Sequence, residues 1–289
     1  MIRTLILLAA VLTAGSSWAA SGELQASART LVAAHQDAVV WLSVIAKTTI
    51  STEGDAPAQV KAALSGMDNK EAKSEATGTI IDAGGLIVTA LASIDKSSVV
   101  DGKTVDTPMG TVTLKASSEI KEIKVIMPDG TEIPADLVLK DADLGLGFVR
   151  VRADSKEAKG VTFKAVDLKD SAQGALLDDC VALGRLDENM NREASVVTTE
   201  ISGITTKPRT FYRVLTDSVG CPVFLTSGKL LGLTTVRKQA DRSGGTEVRV
   251  APVVLPAADI VKLADQALAA PLPAAAKQPA GDAPADAAK

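Results

Sequence analysis

The chain has 289 residues, a formal net charge of -4 and aromatic side chains at only 2%. A mildly acidic chain without a basic run argues against nucleic acid as a partner, and so few rings leave little on which bases or sugars could stack. One histidine, His35, and two cysteines, Cys180 and Cys221, are too few for a Cys/His metal site, and no cofactor motif is present.

Residues 1–19 read as a signal peptide. Arg3 supplies the positive start, Leu5 to Leu12 the apolar stretch, and Ser17-Trp18-Ala19 a small-x-small cleavage site. The apolar run is too short to span a bilayer, so export to the periplasm or the medium is expected, with no integral membrane segment after cleavage. Leu24, Ala28, Leu31, Val32 and His35 then share one helical face, which predicts a helix over about 23–37. Ala38 to Ile45 is rich in strand formers. Ser51 to Ala76 is polar and reads as a long solvated connection.

From Gly78 onward strand signals recur at short intervals. Thr79-Ile80-Ile81 and Leu86 to Thr89 flank the turn-forming Asp82-Ala83-Gly84-Gly85. Further strands are expected around Ile123 to Met127, 144–151, 180–183, 194–204, 212–215, 223–225, 230–236 and 248–253. A last helix carries Ile260, Leu263, Ala264, Ala267 and Leu268 on one face, with Pro256 near its start. The Ala/Pro-rich residues 269–289 cannot bury enough apolar surface to fold. Many short strands with Gly/Pro turns and little helix point to barrels or a sandwich. Gly84-Gly85 and Gly244-Gly245 lack a following P-loop lysine, and Asp141, Asp143 and Asp178-Asp179 lack calcium-loop spacing.

Three stretches occur in an order that resembles the trypsin-like serine proteases, most closely the Do (HtrA) branch. Gly78 to Asp82 and Ile87-Val88-Thr89-Ala90-Leu91-Ala92 resemble the approach to the catalytic histidine. Asp141 to Arg150 resembles the strand of the catalytic aspartate. Thr216 to Phe224, followed by Leu230-Leu231-Gly232-Leu233, resembles the nucleophile region and its hairpin. The resemblance implies two six-stranded antiparallel Greek-key barrels with short N- and C-terminal helices. On that basis the chain divides into an N-terminal helix over 20–37, a first barrel over 38–153, a second barrel with its closing helix over 154–268, and the tail. The residues left are too few for the PDZ domain that usually follows in Do-type members.

Carried over position by position, the resemblance places Ala92 where the histidine belongs, Gly145 where the aspartate belongs and Val219 where the serine belongs. A slipped alignment would give Asp143 the aspartate role at the expense of the strand's apolar register. The chemistry needs a base to take the serine proton, a carboxylate to orient that base and backbone amides to receive the oxyanion. A methyl group, bare backbone and an isopropyl group supply neither base, carboxylate nor nucleophile, and the loop before Gly220 is shorter than the family's. The resemblance therefore implies a pseudoprotease, not an enzyme, that binds a protein or an extended peptide of unspecified identity.

The alternative is a serine-type endopeptidase with displaced residues, using Ser218 or Cys221. Its base would have to be His35, on the N-terminal helix, or a lysine such as Lys229 or Lys238 with a lowered pKa. A third reading is a structural exported protein docked through the first helix or the tail. Whether Cys180 and Cys221 bond is open, since a bridge requires close Cβ atoms.

Overall fold

A computed structural model describes residues 22–54, 56–67, 71–108, 110–239 and 249–272. The expected signal peptide, Gly244-Gly245 and the tail beyond Leu272 lie outside the described residues.

Helix α1 (22–35) leads through a short 3-10 turn, Gln36–Ala38, into β1 (Val39–Thr52). Helix α2 (Ala58–Met67) precedes β2 (Glu71–Asp82) and β3 (Leu86–Ala90). Two single-turn helices, α3 (Leu91–Ile94) and α4 (Ser97–Val100), precede β4 (Thr104–Thr107), β5 (Gly110–Ile126), β6 (Glu132–Asp141) and β7 (Leu146–Val151). Their sheet runs β1-β2-β3-β7-β6-β5-β4, and a further β1–β5 pairing closes six of its strands into a barrel. β4 extends from the far end of β5.

The polar stretch after Ser51 differs from the expected loop. β1 continues to Thr52 against Leu114 of β5, Ala58–Met67 is helical, and β2 begins at Glu71. Thr48, Thr49, Ile50 and Thr52 carry β-branched side chains that suit a two-stranded ribbon, while Ala58, Ala62, Ala63 and Leu64 favour helix.

The second sheet contains β8 (Asp179–Arg185), β9 (Ala194–Glu200), β10 (Gly203–Thr205), β11 (Phe211–Arg213), β12 (Pro222–Leu225), β13 (Leu230–Gln239) and β14 (Arg249–Pro256). Its order is β10-β11-β14-β13-β12-β8-β9, so its two edges are consecutive in the chain and the sheet curls as a half-barrel. Seven strands replace the expected six because the strand anticipated over 194–204 breaks after Glu200. At the break Ile201 is fully buried, and its N–H bonds Asp178 O. Burying that side chain turns the following residues onto β11 instead of β8.

Helix α5 (Ala257–Ala269) starts after Pro256 and buries Ala257, Ile260, Ala264 and Ala267, while Leu268 stays 42% exposed. It reaches both sheets, since the guanidinium of Arg150 on β7 donates to Leu268 O and Ala270 O at its C-terminus. Ala28 and Leu31 of α1 enter the same apolar cluster as Phe148 of β7, Phe224 of β12 and Ile260 of α5, which welds helices and sheets into one core. Each sheet also keeps an interior of its own, around Leu42 and Val149 in the first and Val223 and Val254 in the second.

Candidate functional site

The two sheets meet along β2, β3 and the segment before β12. Thr77 Oγ1 donates to Val219 O at 2.5 Å, and Thr79 Oγ1 donates to Gly220 O at 2.8 Å. Thr89 Oγ1, fully buried on β3, donates to Thr77 O at 2.6 Å. Gly220 has a φ of +81°, and a Cβ there would stand 2.3 Å from Thr77 O, so only glycine fits the crossing. A Trp41 Nε1 bond to Leu186 O and an Arg185 Nε bond to Val39 O fasten the junction elsewhere.

Beside this junction β3 ends at Ala90 and the chain turns into α3, placing Ala92 in its single turn. The turn before β7 approaches from the other side. Asp141 Oδ1 accepts from Leu144 N, and Gly145, at φ +67°, offers its carbonyl to Leu91 N and Thr235 Oγ1, both at 2.8 Å. Ala92 and Gly145 thus line one cavity of about 250 Å³ with Thr235, Val236 and Arg237 of β13. A Cβ on Gly145 would stand 2.9 Å from Val236 O and 3.0 Å from Thr235 Oγ1. Asp143 lies on the exposed rim of the same cavity. Val219, half-buried at the junction, is not among the described residues that line it.

β13 also presents backbone to the cavity. Thr234 exchanges both main-chain bonds with Gly220 and Cys221, and β12 pairs with β13 no further than Leu233. Strand alternation turns the N–H and C=O of Val236 to that same side, past the end of β12.

The displaced-nucleophile residues have other neighbours. Ser218 Oγ donates to Asp217 Oδ1 at 3.2 Å, and Ser218 packs against Gly184 of β8. His35 stacks on Phe224, with ring centroids 4.7 Å apart. Burial lowers its pKa, against the opposing charge of Asp170. Lys229 is paired with Asp170, and the side chain of Lys238 lies outside the described residues. Cys180 and Cys221 are both buried free thiols. Burial pushes the Cys221 thiol up to about 12, against the bond to Thr77, and burial together with Asp178 pushes Cys180 up to about 12. At neutral pH neither is a thiolate.

The structure therefore brings Ala92 and Gly145 together and holds Val219 at the adjoining crossing beside Cys221, whose buried thiol bonds Thr77, while Ser218 and His35 make other contacts. The sequence reading missed Thr77, Thr79, Thr235 and Arg237. A Thr-x-Thr pair on a strand carries no signal that its hydroxyls bond across a sheet junction. Among the described residues no group of three or more His, Cys, Asp or Glu is placed to hold a metal ion, and no helix is long and apolar enough to cross a membrane.

A family model described as a trypsin-like peptidase domain matches residues 76–233. No curated protein matches the chain.

Proposed function

The chain belongs to the trypsin-like peptidase domain family, and we propose that it acts there as an exported, non-hydrolysing member whose inter-sheet cleft binds a protein or an extended peptide. The observation that carries this reading is Gly145. Its left-handed backbone and the carbonyl of Val236 leave no room for a side chain where the resemblance puts the orienting carboxylate. Ala92, which lines the same cavity, supplies no base, and Val219 supplies no nucleophile. The sole histidine is occupied in packing against Phe224. Binding is favoured over an inert structural role by the cavity and by the Val236 backbone beside it, to which an extended chain could add as a strand. Export is supported by the charged, apolar and small-residue order of residues 1–19.

Treatment of the purified chain with a fluorophosphonate probe and with iodoacetamide tests the reading. No specific labelling is expected. Labelling of Ser218 that disappears in Ser218→Ala, or peptide cleavage lost in the same variant, would establish the displaced-residue peptidase instead. N-terminal sequencing of the extracellular or periplasmic protein should begin at Ala20; recovery of an intact Met1 from the cytoplasm would refute export.

A further inference from the structure

The cavity beside Ala92 and Gly145 is lined by two charged residues of opposite sign, Asp143 and Arg237. They are not equivalent. Asp143 stands exposed on its turn, whereas Arg237 is half-buried with its guanidinium carbon 4.7 Å from the centroid of the Phe211 ring. Stacking on an aromatic face holds the guanidinium plane and shields one side of it from water, while its N–H donors lie in the plane and remain open at the edge. Elsewhere Arg152 is ion-paired with Asp136 and Arg192 with Glu75 and Glu188, while Arg150 and Arg185 spend their N–H donors on main-chain carbonyls. Among the described residues no carboxylate pairs with Arg237. A pre-oriented, partly desolvated guanidinium without a counter-ion is matched by one ligand group above others, a carboxylate that accepts two of its parallel N–H bonds.

Position adds to the chemistry. Arg237 directly follows Val236, whose main chain faces the cavity, so a peptide laid along β13 would bring its side chains within reach of this wall. Leu91, Val99 and Leu144 offer apolar surface for a methylene stem. The opposing Asp143 is solvent-exposed, and its repulsion is screened by salt.

We propose that Arg237, shelved on Phe211, is the specificity-determining residue of this cleft and that it selects peptides bearing a glutamate or aspartate side chain. The inference rests on the cleft being a peptide-binding site.

Two fluorescein-labelled mixtures of nine-residue peptides test it. They are random except for a central Glu in one and a central Gln in the other, and their binding to the purified chain is read by fluorescence anisotropy at about 0.15 M salt, where the exposed Asp143 is screened. The Glu mixture should bind about tenfold more tightly, which is the scale of a charge-assisted pair. Arg237→Gln should erase the preference, and Arg237→Lys, which keeps the charge without the planar fork, should retain part of it. Equal binding of both mixtures, or a preference that survives Arg237→Gln, overturns the carboxylate selection and leaves the peptide-binding reading standing. Binding of neither mixture overturns both. Circular dichroism of the two variants should match the parent, which separates loss of selection from loss of fold.

Discussion

Replacing Gly145 by alanine probes the point where the two sheets approach most closely at the cavity. Its φ of +67° lies in the left-handed region, where an L-residue with a Cβ loses roughly 1–2 kcal/mol relative to glycine. The new methyl would also stand 2.9 Å from Val236 O and 3.0 Å from Thr235 Oγ1. Neither neighbour yields easily. Val236 is pinned in β13 by pairing with Pro252, and Thr235 is buried with its hydroxyl bonded to Gly145 O. Relieving the overlap displaces the turn and weakens the Leu91 N bond to Gly145 O, an overpacking cost of about 1–3 kcal/mol. Restricting the unfolded chain returns about 0.4–1 kcal/mol. The expected net loss is about 1–4.6 kcal/mol, read as a lower urea midpoint with an unchanged slope. Gly145→Asp should lose at least as much, and joining it to Ala92→His and Val219→Ser should yield no peptidase. A Gly145→Ala chain within about 0.5 kcal/mol of the parent, the scatter of ordinary surface changes, would show that the turn is not held against β13 and would remove the main support for a lost carboxylate position.

Three further outcomes follow from the same contacts. Thr79→Val should cost about 1–3 kcal/mol in chemical denaturation, because the buried Gly220 O loses its hydroxyl donor. The two cysteine thiols should resist iodoacetamide until the chain unfolds. Both folded pKa values lie near 12, above the unfolded value, so the folded state holds the proton more tightly and their stabilisation, complete below about pH 8.5, should be lost as pH rises toward 12. Substituting both by alanine should flatten that alkaline decline. For Asp95, burial pushes the carboxyl up, but hydrogen bonds from Ser97 and Ser118 and the charge of Lys140 outweigh it and leave the pKa lowered. Its contribution is present above the unfolded pKa and disappears as pH falls through the folded one, so Asp95→Asn should destabilise at neutral pH and match the parent in acid melts.

Fold and site were legible to different depths. The hairpin over 82–85 and the helix ending the chain were readable because turn chemistry and 3.6-residue periodicity are local signals. The ribbon and helix between Ser51 and Ala76 were not, because polar sequence reads as loop until the pairing of β1 with β5 supplies a partner for its main chain. The break at Ile201 was hidden for a similar reason, since a run of strand formers does not say which sheet edge each half will join. At the site, identity of position came from motif order, but the reason it matters came from geometry. No sequence shows that Gly145 faces a carbonyl, or that Arg237 lies on Phe211 with no carboxylate partner among the described residues.

The junction between the sheets is built to close tolerance. A glycine that only backbone crowding explains survives at Gly220, where a Cβ would stand 2.3 Å from Thr77 O, and two threonine hydroxyls still satisfy the carbonyls on either side of the crossing. Those contacts position the segment to which the resemblance assigns the nucleophile, at Val219. On the proposed reading, in which the cleft binds and does not hydrolyse, the close fit at this crossing shapes the groove. If that is so, Thr77→Val should weaken peptide binding at the cavity by more than its effect on stability accounts for, measured by anisotropy at temperatures well below the melting point. Binding that falls only in step with the folded fraction would mean that the junction merely holds the two sheets together.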